Sequence, residues 1–168
     1  MGTIRGRIGG VIGGYNVDAN VANGSITGRI GGAIFGSDIN LEYSLNQGFI
    51  KGRIGGGIIG RDVEGRLGTD FLSVRIGGVV DGNDIHLESQ DRIVRGRCGG
   101  SAIGFDVNVI FSAGKASGRL GGDVIGMDVA AEINGVEPIL AAAIFVIAYY
   151  MYKVNHRNRG SGGGGGGN

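Results

Sequence analysis

The sequence predicts a mainly β fold with one helix: six β-hairpin repeats of about 22 residues, forming a twelve-stranded antiparallel closed barrel around a C-terminal hydrophobic helix. Three observations predict it. An anchor of the form Gly-Arg-Ile-Gly-Gly is written six times at a nearly fixed interval. Each interval holds two runs that alternate apolar and polar residues. An all-apolar segment follows the last repeat.

The anchors begin at Gly6, Gly28, Gly52, Val74, Gly96 and Gly118, spaced by 22, 24, 22, 22 and 22 residues. Such regular self-similarity marks one supersecondary unit per repeat. In the first half of a unit, Ile26, Gly28, Ile30, Gly32 and Ile34 share one parity, and Thr27, Arg29 and Gly31 take the other. In the second half, Ile39, Leu41 and Tyr43 alternate with Asp38, Asn40 and Glu42. Period two in both halves predicts two strands with one buried face. The alternation of Ile with Gly on that face leaves room for a central element.

The joints predict antiparallel pairing. One joint carries Asn23-Gly24, Gln47-Gly48, Gly68-Thr69-Asp70 and Ala113-Gly114, all turn signals. The other carries Gly-x, as in Gly36-Ser37 and Gly60-Arg61, which predicts a two-residue type II′ loop. Pairing outward across Asn23-Gly24 sets Val21 opposite Ile26 and Asp18 opposite Arg29. Pairing outward across Gly36-Ser37 sets Phe35 opposite Asp38 and Gly32 opposite Leu41. Parity survives both turns, as one continuous sheet requires. The same alignment opposes Glu42 to Lys51, Glu64 to Arg75 and Glu88 to Arg95. The alternative fold is a β-solenoid with a C-terminal transmembrane helix. It would stack six arginines about 4.8 Å apart, a self-repelling ladder, so the meander is preferred.

The apolar run Pro138 to Tyr152 predicts a helix over 138–153. Pro138 suits the first turn, and Lys153 and Arg157 suit the last. A helix apolar all round is buried in protein or in lipid. Its fifteen residues are short of the roughly 20 that a membrane span needs. Twelve strands tilted about 40° close into a cylinder roughly 24 Å across, too wide for its own side chains to fill. A helix about 10–12 Å wide fills that space. The domain is therefore 1–154, with 155–168 a flexible basic, glycine-rich tail. The helix returns toward the Gly-x mouth, so Lys153, His156, Arg157 and Arg159 emerge beside the aspartates there and partly neutralise them. The alternative is a single-pass anchor, for which Tyr149, Tyr150 and Tyr152 and the basic flank would serve.

A twelve-stranded barrel threaded by "VEPILAAAIFVIAYYMYKV" resembles the Tubby C-terminal-like superfamily, which includes the LURP-one-related proteins and phospholipid scramblases. The resemblance spans Ile4 to about Val154 and rests on strand count, strand order and that helix. It implies binding of phosphoinositide or phospholipid in some members. It assigns no individual residue here.

Two rows of polar residues are candidate sites. Arg7, Arg29, Arg53, Arg75, Arg97 and Arg119 form an outward belt. It could bind anionic phospholipid headgroups or a membrane surface, or simply answer Asp18, Glu64 and polar neighbours across the strands. Asn16, Asp38, Asp62, Asp84, Asp106 and Asp128 ring one mouth. They could offer oxygen ligands to a cation, or cap their own turns, which is the preferred reading.

Sixteen basic residues against fifteen acidic ones advertise no nucleic-acid partner. A single cysteine excludes an internal disulfide framework. Cys98 stands at an inward Ile position and reads as a buried thiol. Neither His86 nor His156 has a nucleophile partner in sequence, and "GRIGGVIGG" and "SAGKAS" miss the phosphate-loop spacings. No enzyme and no cofactor are expected. "MGTIRGRIGG" has no apolar signal region, so the expected location is cytoplasmic, with membrane association. The function expected is a non-enzymatic lipid- or membrane-binding module; the alternative is a self-assembling or membrane-anchored structural repeat.

Overall fold

The computed structural model describes residues 1–10, 12–32, 35–100 and 104–160, with side chains to Arg157. The strands are β1 (Gly2–Gly9), β2 (Gly14–Ala22), β3 (Ser25–Gly31), β4 (Gly36–Ser44), β5 (Phe49–Gly55) and β6 (Gly60–Leu67). They continue as β7 (Phe71–Ile76), β8 (Asn83–Gln90), β9 (Ile93–Gly99), β10 (Gly104–Ser112), β11 (Lys115–Gly121) and β12 (Gly126–Asn134). Each pairs antiparallel with its sequence neighbours, and β1 pairs with β12, so the sheet closes into a barrel. Closure leaves no open edge for another chain to extend. The solenoid alternative is excluded by this pairing.

The alternation does what period two demands. In β10, Phe105, Val107, Val109 and Phe111 are buried, while Asp106, Asn108, Ile110 and Ser112 face outward. The interior is filled by α1 (Pro138–Gly160). All thirteen residues from Ile139 to Met151 are buried, none more than 4% exposed. The stretch Pro138–Arg157 is long and apolar enough to cross a membrane, yet 72% of its most apolar window is buried inside the barrel. Among the described residues no charged or polar residue is buried. Helix and wall are therefore held together by apolar contact.

The helix runs further than expected. It continues through Gly160, so 155–160 are helical rather than part of a loose tail. Two causes are visible: basic residues favour a helix C-terminus, and Asn155 Nδ2 donates to the Tyr15 hydroxyl at 2.8 Å. Residues 161–168 lie outside the described residues.

The short turns match expectation at one end. Val21 faces Ile26 and Asp18 faces Arg29 across Asn23-Gly24, whose φ angles of 52° and 74° belong to a type I′ turn. Asp91-Arg92 makes an equivalent turn with φ of 51° and 64°, without a glycine to announce it. Glu42–Lys51, Glu64–Arg75 and Glu88–Arg95 are cross-strand partners as expected.

The Gly-x joint is different, and the difference matters. Asp38 faces Arg29, not Phe35, a slip of six residues. An even slip keeps every side chain on its expected face, which is why the parity check could not detect it. Strand β3 ends at Gly31, whose φ of 94° bends the chain out of the sheet. In the third repeat the Gly56 amide donates to the Ile59 carbonyl at 2.9 Å, so the turn tip is Gly57-Ile58. Gly60 is no turn residue; it opens β6 and pairs with Gly55. A Cβ there would meet the Arg53 Nε at 3.0 Å. The glycine is the floor over which that arginine passes. Ile34, expected to face inward, lies outside the described residues, and Gly32 is exposed past the strand end.

The first anchor glycine also has a different role from the one expected. A Cβ at Gly28 would stand 2.1 Å from the Asp18 carbonyl oxygen and 2.6 Å from the Ala19 Cα. Those atoms belong to the neighbouring strand, so the glycine permits strand-to-strand approach rather than making room for the helix. The fourth repeat tests this account. Its anchor has Val74 in place of glycine, and the residue opposite Val74 on β6 is Gly65. A Cβ at Gly65 would lie 2.2 Å from the Ser73 carbonyl oxygen. The glycine has crossed to the partner strand and the close approach is kept.

Gly65→Ala should therefore lower stability by about 1–3 kcal/mol through overpacking. Exchanging the pair, Gly65→Val with Val74→Gly, should recover much of the loss suffered by Gly65→Val alone. Chemical denaturation of the three variants reads the coupling; strictly additive costs would contradict the compensation.

Candidate binding surface at the loop mouth

The two candidate rows turn out to be one structure. Arg29, Arg53, Arg75, Arg97 and Arg119 bond Asp38, Asp62, Asp84, Asp106 and Asp128 at 2.6, 2.5, 2.9, 2.5 and 2.7 Å. Arg7 donates to Asn16 Oδ1 at 2.7 Å, the same contact with a neutral partner. Each pair joins residues directly opposite on adjacent strands, a consequence of the six-residue slip. The expected partners Asp18 and Glu64 sit on the other neighbouring strand; Asp18 pairs with Arg5 instead, at 3.5 Å.

Arg7, Arg53, Arg75, Arg97 and Arg119 also reach forward. Arg53 Nε donates to the Gly56 carbonyl at 3.0 Å, and Arg119 Nε to the Gly122 carbonyl at 3.0 Å. A planar guanidinium can bridge a carboxylate and a backbone carbonyl at once. The motif thus ties each long loop to the strand that follows it. The aspartates face outward on the wall and do not converge, and no group of three metal-ligating side chains occurs among the described residues. The arginine belt is mostly occupied by its own loops.

What the clamps hold up is apolar. Among the described residues, the exposed large apolar side chains include Ile12, Phe35, Ile58, Ile59, Val79, Val80, Val124 and Ile125. All eight lie in the loops of one mouth. Ile58 and Val80 are each 98% exposed. Residues 101–103, between β9 and β10, lie outside the described residues. The outer wall is the reverse, carrying ion pairs such as Lys51–Glu42 and Arg5–Asp18. That is opposite to the lipid-facing band of a barrel that spans a membrane by its strands.

The helix C-terminus emerges inside this crown. Lys153 shares a hollow with Asp81, Asn83 and Gly104, which puts the basic end at the aspartate mouth as expected. Tyr152 packs edge-on against Tyr15, centroids 5.2 Å apart, and stacks on His156 at 3.9 Å. The Lys153 ammonium lies 5.4 Å from the Phe105 ring centre and 5.5 Å from that of Tyr149. Burial lowers its pKa, and the Arg157 charge lowers it further. Neutralisation of the aspartates comes from the arginine row, not from the helix. The Arg159 side chain lies outside the described residues.

Ser73 Oγ lies 3.0 Å from His86 Nδ1 on the exposed wall. The cross-strand neighbours of His86 are Ser73 and Arg97, so neither is a carboxylate to orient the imidazole. Burial pushes the Cys98 thiol up to about 12, with Lys153 and Arg97 opposing and Asp84 adding to the shift. A thiol held protonated is a poor nucleophile.

Compared with protein-family models, with curated proteins and with solved structures, the chain matches none.

Two outcomes follow from the geometry. Arg53→Gln should cost only about 0.2–1 kcal/mol, because the pair is partly solvated, but it should speed hydrogen exchange at the Gly56 amide; unchanged exchange would remove the clamp's role. For Cys98, the folded-state pKa is raised above the unfolded value of 9.0 toward about 12. Its contribution to stability is thus complete below pH 9 and declines as pH rises toward 12. Cys98→Ile, which restores the repeat's own residue, should flatten the fall in melting temperature over that window.

Proposed function

We propose that this protein is a non-enzymatic module that binds the surface of anionic membranes, docking through the mouth where the long loops meet. The observation that carries this reading is the crown of exposed aliphatic loop tips surrounding a basic helix end. Aliphatic side chains at the rim gain by entering the acyl boundary of a bilayer. Lys153 and Arg157 gain from the negative potential of anionic lipid. Loop tips arranged around one rim suit a flat surface better than a shaped partner. The module belongs by this reading at the cytoplasmic face of a membrane, as a Tubby-like barrel. The arginine belt contributes by holding the loops rather than by touching headgroups.

The same crown supports a second reading, in which two copies meet mouth to mouth as a structural assembly. Sedimentation with vesicles of phosphatidylserine and phosphatidylcholine separates the two. The membrane reading expects binding to phosphatidylserine vesicles that weakens with salt. It expects Ile58→Ser with Val80→Ser to reduce binding at least tenfold, and Ile110→Ser on the outer wall to leave it intact. Absence of wild-type binding at low salt, with a concentration-dependent dimer that the crown variants abolish, would decide for self-assembly.

A further inference from the structure

Regular repeats make their exceptions conspicuous. The residue that follows the last glycine of each long loop points inward at the loop mouth, around the departing helix. It is Tyr15, Ser37, Arg61, Asn83, Phe105 and Met127 in the six repeats. Only the third repeat puts a charge there. The residue just before that glycine is apolar or glycine in five repeats and Asp81 in the fourth. These two exceptions meet: Arg61 Nη1 is bonded to Asp81 Oδ2. The Asp81 carboxylate also accepts from the Gly78 amide at 3.1 Å, and Arg61 holds its pKa below the usual value. The guanidinium is thereby fixed at the rim, with its side chain only 23% exposed.

Between this pair and the helix end lies a half-enclosed pocket of about 190 Å³. That is many times the roughly 10–15 Å³ that one water occupies by this measure. Its lining carries Arg61, Lys153 and Arg157 against the single carboxylate of Asp81, together with Phe105 and Tyr150. Three cations and one carboxylate leave an excess of two positive charges. Lys153 and Arg157 follow one another by a helical turn, and neither has a carboxylate partner among the described residues. Two like charges held a turn apart repel each other. An anion between them would remove the repulsion.

We propose that this pocket binds a phosphomonoester, with Lys153, Arg157 and Arg61 as its phosphate ligands. A phosphomonoester carries close to two negative charges near neutral pH, matching the pocket's excess. Guanidinium and ammonium groups provide the charge-assisted hydrogen bonds that a phosphate takes. The ester substituent points out through the open side, toward the crown. The source is either a soluble phosphomonoester or a lipid whose headgroup is one; only the lipid source rests on the membrane reading above.

The full chain titrated with glycerol 3-phosphate and followed by amide chemical shifts tests the pocket. Saturable shifts are expected around Gly104, Tyr150 and Arg157, and unphosphorylated glycerol should produce none. Lys153→Gln and Arg157→Gln should each weaken binding at least tenfold, while Lys115→Gln at the opposite mouth should not. No saturable binding, or binding that survives Lys153→Gln combined with Arg157→Gln, overturns the proposal. Vesicles of phosphatidic acid and of phosphatidylserine, matched for charge, then identify the source. A phosphatidic acid preference lost in Lys153→Gln assigns the lipid; equal binding with glycerol 3-phosphate binding retained assigns the soluble ester. Ile58→Ser should lose vesicle binding yet keep glycerol 3-phosphate binding, so failure of the membrane reading and failure of the pocket are told apart.

Discussion

Everything in this fold depends on enclosing a helix that is apolar on every side. From Ile139 to Met151 there is no polar stripe to turn toward water. A single sheet face would cover half of such a helix. A closed sheet covers all of it, and only a barrel of about this strand number has the width to admit it. The dependence is mutual, since a barrel this wide would otherwise enclose a void that its short Val, Ile and Ala side chains cannot span. Apolar contact is non-directional, so orientation comes from the ends: Pro138 at the entry, and Tyr15, Tyr152 and Asn155 at the exit.

Around that constraint the repeat divides its labour within five residues. In "GRIGG" the first glycine lets two strands approach, the isoleucine fills the core, and the next glycine bends the chain off the sheet. The arginine then crosses over a glycine of the following strand to hold the loop. Exposed pairs of this kind each contribute little, but six in one ring define the shape of a whole mouth. The loops need such support because their own residues are apolar and water-facing. An apolar loop left to itself would fold back against the wall; one tied by a guanidinium to the next strand stays at the rim. That arrangement puts the packed core in the wall and the exposed apolar side chains at the tips.

The repeat also shows where to look for specificity. Units that obey the pattern build the cylinder. Departures from it are spent locally: Val74 is matched by Gly65 across the strand, and Arg61 by Asp81 across a loop. The first departure keeps the close approach of the two strands. The second places an inward charge at a mouth position where the other units have uncharged side chains. A charge pointed at a partly buried site costs desolvation, and here it is held in place by a partner from a different repeat.

Strand number, hairpin order, the buried parity and the existence of a central helix were legible in the residues, because period two and an apolar run are local signals. The turn at Asn23-Gly24 was legible for the same reason, while Asp91-Arg92 carried no glycine to mark it. The sequence could not by itself place the long turns. Glycine at Gly60 looks like a turn residue, and a six-residue slip leaves every side chain on the same face. Only the closed sheet, which must satisfy both neighbours of each strand at once, selects the register that sets Arg53 against Asp62 and frees Ile58 and Ile59 for the rim. The two polar rows therefore read as independent candidate sites in one dimension and as a single ring of clamps in three. The pocket between Arg61 and Lys153 was likewise invisible, since it joins residues 92 positions apart that meet only when a helix returns through the barrel it plugs.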